Sequence, residues 1–97
     1  MILLDMDARK RHHHVTEAGR ITKFVVQLEV KTGVVWKEVI RCDCSHDYAH
    51  KDCYNIIGQC RKINLYIDYE DALTLADDDI NDNWEIYREK FLRGDFP

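Results

Sequence analysis

Proline occurs once, as the last of 97 residues, and glycine four times. Linkers and loop-rich architectures are therefore scarce. No apolar run approaches the ~20 residues that a membrane-spanning helix needs. Met1-Ile2-Leu3-Leu4 is too short for the core of a signal peptide, and Asp5 and Asp7 follow at once. The expected location is cytoplasmic, where Cys42, Cys44, Cys53 and Cys60 are reduced thiols or ligands instead of disulfides. The chain also lacks a phosphate-binding glycine loop, a G-x-G-x-x-G fingerprint, a nucleophile elbow and an H-E-x-x-H pair. There is no internal repeat.

Apolar residues make up 45% of the chain, enough to fold as one domain around its own core. Charge is unevenly spread. Residues 1–67 hold eleven Lys/Arg against eight Asp/Glu, and residues 68–97 hold three against ten, so a +3 segment precedes a −7 one. That balance suits an acidic helix face behind a mildly basic front, or a solvated acidic helix with no further meaning.

Hydrophobic periodicity gives the fold. In Arg20–Thr32, Phe24, Val26, Leu28 and Val30 alternate with polar residues, the mark of a half-buried strand. Val34–Cys42 is the return strand. A three-residue loop, Thr32-Gly33-Val34, sets Leu28 opposite Glu38, Val26 opposite Ile40 and Glu29 opposite Lys37, and is the favoured register. Residues 49–54 and 60–67 form a second hairpin, with Cys53 and Cys60 as small apolar thiols flanking it. From Asp68 the period becomes 3.6. Asp68 is the N-cap, and Leu73, Ala76, Ile80, Trp84, Tyr87 and Phe91 form one stripe; Gly94 closes the helix, and a kink is expected within 77–83. The prediction is an α+β domain over 20–97: an antiparallel sheet of about four strands, in two hairpins, with one long C-terminal helix packed on one face. Residues 1–19 stand apart as a basic segment carrying Arg9-Lys10-Arg11-His12-His13-His14, a frayed terminus or an RNA-contacting arm.

Arg41 to Asp52, reading RCDCSHDYAHKD, is the chemically densest stretch. As a metal site its cysteine spacing fits no standard zinc finger, whereas His46, His50 and Asp43 form a simpler zinc-ligand set. As a catalytic site, His46 and His50 pair as general acid and base, Asp43 orients a ring, and Arg41 stabilises an anionic transition state, with no cofactor required. As a binding site, Arg41, Lys51, Arg61 and Lys62 hold phosphates while Tyr48, Tyr54 and Tyr66 stack bases. As a polar turn, Asp43 and Ser45 satisfy local backbone groups and nothing more.

Arg20-Ile21, Val26 to Glu29, Val39 to Asp43, His46, His50 and Asp52, followed by Asp71 to Ala76 and Asn83-Trp84, resemble a family of small uncharacterised prokaryotic proteins with the pattern R-Y-D-x-A-H-G-x-x-H-x-D. The resemblance covers roughly residues 20–93 and implies a domain of unknown function. Cys42, Ser45 and Asp47 stand where the pattern has tyrosine, alanine and glycine. The Arg-Asp-His-His order is also similar to that of TumE-like toxins, which implies RNA cleavage and a partner antitoxin. The leading expectation is a toxin-like, metal-independent ribonuclease with Arg41, Asp43, His46 and His50 as catalytic residues and Lys51, Arg61 and Tyr48 on the RNA. On this reading His50→Ala abolishes cleavage at little cost in stability. The alternatives are a non-catalytic interaction module, dimeric or partner-bound through Trp36, Trp84 and Tyr87, and a small metal-binding protein.

Overall fold

The computed structural model describes all of residues 1–97. The chain forms six strands and one helix: β1 (Ile2–Asp5), β2 (Ala8–Glu17), β3 (Arg20–Thr32), β4 (Val35–Asp43), β5 (His50–Tyr54), β6 (Cys60–Asn64) and α1 (Tyr69–Leu92). The strands make one antiparallel sheet in sequential order, β1 to β6, and α1 packs across one face. The α+β class and the single C-terminal helix agree with the sequence reading, but the sheet has six strands and not about four. The additional two are β1 and β2. Nothing apolar alternates along Arg9 to His14, so β2 carries no strand signal of its own. It is held by the long edge of β3, against which it pairs from Ala8↔Val30 to Glu17↔Arg20.

The β3–β4 register differs from the favoured one. The turn is two residues, Gly33-Val34, with Thr32 paired to Val35 and Gly33 at φ 64° in the first central position, where a type II′ turn needs a positive φ. A bulge then shifts the ladder: Glu29 pairs with Glu38 and Leu28 with Ile40, leaving Val39 as the extra residue. The shift brings Leu28 and Val26 opposite Ile40 and Cys42, so all four stand on the helix side. Pattern alone does not reveal a bulge, and it moves every partner beyond it by one residue.

The core lies between sheet and helix. Val26, Leu28, Val30, Ile40 and Phe24 meet Ala72, Leu73, Ala76, Ile80 and Phe91, all buried. Trp84 and Tyr87 complete the stripe at its half-buried margin. Asp68 caps α1 by accepting from the Asp71 N–H at 2.8 Å. At the other end the Asp95 N–H reaches the Lys90 carbonyl and the Gly94 N–H that of Phe91, a Schellman closure with Gly94 at φ 88°. The helix runs unbroken through 77–83, because its polar residues there are tied down. Lys10 Nζ donates to Asp77 and Asn81, both at 2.7 Å, and Asp79 accepts from Asn83 and Tyr87. No helix is long and apolar enough to cross a membrane.

Candidate functional site

Alternation along the strands sends every second residue to the face that α1 leaves uncovered. Two rungs cross that face: Arg11, Gln27, Arg41, Asp52 and Lys62, and beside them His13, Val25, Asp43, His50 and Asn64. A sheet face away from the helix is ordinarily solvated. Here Gln27, Glu29, Asp43, His50 and Asp52 are buried, none more than 6% exposed. Buried charge must be paired, and these side chains form one network.

At its centre His50 Nε2 lies 2.6 Å from Asp43 Oδ1 and 3.8 Å from Asp52 Oδ2. His50 Nδ1 faces the Tyr48 carbonyl oxygen at 3.3 Å, and a carbonyl only accepts, so Nδ1 bears hydrogen. Asp43 Oδ2 accepts from Arg41 Nε at 2.7 Å, and Ser45 Oγ approaches Oδ1 at 3.5 Å. Arg41 Nη1 then reaches Gln27 Oε1 at 3.4 Å and Glu38 at 3.8 Å. Gln27 donates to Glu29, whose other oxygen takes the Arg9 guanidinium. The hydrogen bond to Asp43 raises the Arg41 pKa against the opposing effect of burial, so the guanidinium stays charged. One atom of this network, Asp52 Oδ1, is buried without any partner.

Two clefts share His13, Val25 and Arg41 of this face, the first reaching round the end of the sheet to the start of α1. One, of about 430 Å³, is bounded by Lys23, Phe24, Tyr69, Asp43, Ser45 and Asp47. The other, of about 510 Å³, reaches Arg11, Gln27, Glu29 and Glu38. Arg41, with 37% of its side chain exposed, stands between them. Its Nε and Nη1 are engaged, while Nη2 has no protein partner.

Of the residues singled out in the sequence, Arg41, Asp43 and His50 meet directly. His46 is exposed on the 44–49 connection, its ring 5.3 Å from that of His50 and 6.3 Å from that of Tyr48. Asp47 adopts φ 66° and closes a turn onto the Cys44 carbonyl. Aspartate tolerates this conformation better than most side chains, so the loop keeps its shape without glycine. Lys51 and Arg61 are elsewhere. Lys51 pairs with Cys42 on the helix side and reaches Asp79 and the Tyr87 ring, while Arg61 lies over Phe96. Trp36 and Trp84 are each covered by an arginine, Arg9 and Arg88. Burial pushes the Cys42 thiol up to about 12 and also raises Cys53, which leaves both as protonated, unreactive core groups. No group of three or more His, Cys, Asp or Glu side chains is arranged to hold a metal ion.

Gln27, Glu29 and His13 belong to this face and carried no signal as site residues. Gln27 and Glu29 read as the solvent side of an amphipathic strand. Only the bulged register, which sets Gln27 beside Arg41, shows them as members of a network.

No curated protein and no solved structure matches the chain. A family-level comparison covers its full length, and on that match, over residues 1–97, the chain belongs to the family described as Domain of unknown function (DUF7718).

Proposed function

We propose that this domain binds the phosphate backbone of single-stranded RNA on its helix-free face, with Arg41 as the central contact. One observation carries the reading: Arg41 stands at the junction of two clefts with Nε held by Asp43, Nη1 close to Gln27 and Glu38, and no hydrogen bond from Nη2 to the protein. A guanidinium held in this way loses little freedom when it takes a phosphate oxygen. Arg11, His13 and Lys23 line the same clefts. The acidic helix lies behind the sheet, so the face that carries Arg11, Lys23 and Arg41 is the one open to a polyanion. His50 and Asp43 act as positioning residues here, because both ring nitrogens of His50 are engaged and the residue is 2% exposed.

The test is fluorescence anisotropy with a labelled single-stranded RNA across a salt series. Loss of a charge-assisted hydrogen bond, about 1.5–3 kcal/mol, predicts that Arg41→Gln weakens binding at least about tenfold. An unchanged affinity in that variant removes Arg41 from the interface and sinks the reading.

A ribonuclease reading is favoured by one further feature, the exposed His46 ring 5.3 Å from the Asp43–His50 pair. In this reading His46 is the group open to solvent and performs proton transfer, while Asp43 and His50 fix the loop beneath it. Cleavage of total RNA that survives EDTA and disappears in His46→Ala supports it. Binding without cleavage leaves the first reading alone standing.

A further inference from the structure

Alternation divides the three histidines of β2, and of them only His13 lines both clefts. His13 belongs to the helix-free face; His12 and His14 stand together on the other. Their rings are 5.2 Å apart at the centroids, and His12 Nε2 lies 3.1 Å from His14 Nδ1. On its far side His12 Nδ1 meets Asp77 Oδ1 at 3.2 Å. A carboxylate only accepts, so Nδ1 carries the hydrogen of the neutral ring, and Nε2 is left with its lone pair turned toward His14. Two imidazole nitrogens that share one tetrahedral ion at 2.0–2.1 Å each stand roughly 3.3 Å apart. The observed 3.1 Å separation is therefore close to the span of a chelating pair.

We propose that His12 and His14 form a surface site for a divalent ion that favours imidazole, Zn²⁺ or its neighbours Ni²⁺ and Cu²⁺. His12 ligates through Nε2 and His14 through Nδ1. Asp77 is the outer carboxylate that fixes the His12 tautomer, the usual partner of a ligating histidine. On loading, the His14 hydrogen passes from Nδ1 to Nε2, and water or a partner's side chain fills the remaining positions. Asp77 is itself anchored by Lys10 Nζ at 2.7 Å, which holds the carboxylate in place before the ion arrives. His12 is 30% exposed at its side chain and His14 is exposed, so an ion reaches both from solvent.

Calorimetric titration of the whole chain with zinc chloride, and in parallel with nickel chloride, tests this. One equivalent should bind at neutral pH and be lost in both His12→Ala and His14→Ala. His13→Ala is the internal control, since it removes a histidine from the same strand but from the opposite face, and it should bind as the native chain does. Cys60→Ser excludes the exposed thiol as the ligand and should also leave binding intact. Asp77→Asn should weaken binding roughly tenfold without abolishing it. In the proton spectrum, nickel should broaden the ring signals of His12 and His14 before those of His13. No binding by the native chain, binding that persists in both His12→Ala and His14→Ala, or equal loss in His13→Ala each overturns the proposal.

Discussion

Asp43 and His50 oppose each other across β4 and β5 with 2.6 Å between carboxylate and imidazole, 4% and 2% exposed. The pair sits beneath a cleft, which gives it two consequences of different kinds. It holds Arg41 in one orientation, and it commits the fold to a buried charged group that must stay paired.

The second consequence changes what His50→Ala reports. A catalytic histidine on a surface loop could be removed at little cost, as the sequence alone suggests. A buried partner cannot: its loss strands the Asp43 carboxylate, and breaking such a pair costs about 3–5 kcal/mol. For a domain of this size the thermal midpoint should fall by at least about 10 °C. Differential scanning calorimetry of His50→Ala measures it, and a midpoint within about 2 °C of the native value contradicts the buried-pair assignment.

Local chemistry was legible in the sequence wherever one residue decides one feature. Asp68 as N-cap, Gly94 as helix terminator, the stripe from Leu73 to Phe91 and the apolar alternation of β3 all stand as read. The parts that were not legible depend on pairing between strands. Arg9 to His14 has no apolar alternation, so β2 is visible only once β3 is there to receive it. The bulge at Leu28/Glu29 is a property of two strands together. Without it Gln27 cannot be placed beside Arg41. The site was thus half visible: Arg41, Asp43 and His50 share one short segment, while Gln27, Glu29 and His13 join them only through the register.

Asp47 offers a backbone test of the loop that carries His46. At φ 66° a side chain with no local hydrogen-bonding capacity is disfavoured by about 1–2 kcal/mol. Asp47→Ala should therefore lower the unfolding free energy by about 1 kcal/mol. Asp47→Gly, which removes the Cβ that this backbone conformation disfavours, should stay within about 0.5 kcal/mol of native. Urea denaturation of the two variants separates the outcomes. Equal effects would show that the loop does not need a left-handed residue there.

Asp77 gives a pH dependence with a defined sign. Burial acts to raise its carboxyl, and the hydrogen bonds from Lys10 and His12 outweigh burial and hold it below the ordinary value. A carboxyl depressed in the folded state stabilises above its unfolded pKa of about 3.9, and that stabilisation is lost as pH falls through the folded value. Native protein should thus lose stability at the acid end, below about pH 4, and Asp77→Asn should lose less over the same interval. Urea midpoints measured from neutral pH downward in both proteins test this. Parallel curves would mean that the Lys10–Asp77 contact adds nothing to folding.

The two faces of the sheet make the RNA reading separable from a general attraction of cations to a polyanion. Arg11 and Lys23 line the clefts around Arg41, while Lys51 and Arg61 stand on the helix side, held by Asp79 and stacked over Phe96. Each phosphate contact on a single strand adds about 0.7 to the slope of log affinity against log salt. Arg11→Ala and Lys23→Ala should each reduce that slope by about 0.7 where the residue meets a phosphate, and Lys51→Ala and Arg61→Ala should leave it unchanged. All four variants change the net charge equally, so only position distinguishes them. If the helix-side pair reduces the slope and the cleft pair does not, the RNA surface lies on the helix side and Arg41 loses its role. If all four reduce it alike, attraction is diffuse and neither face is a built site.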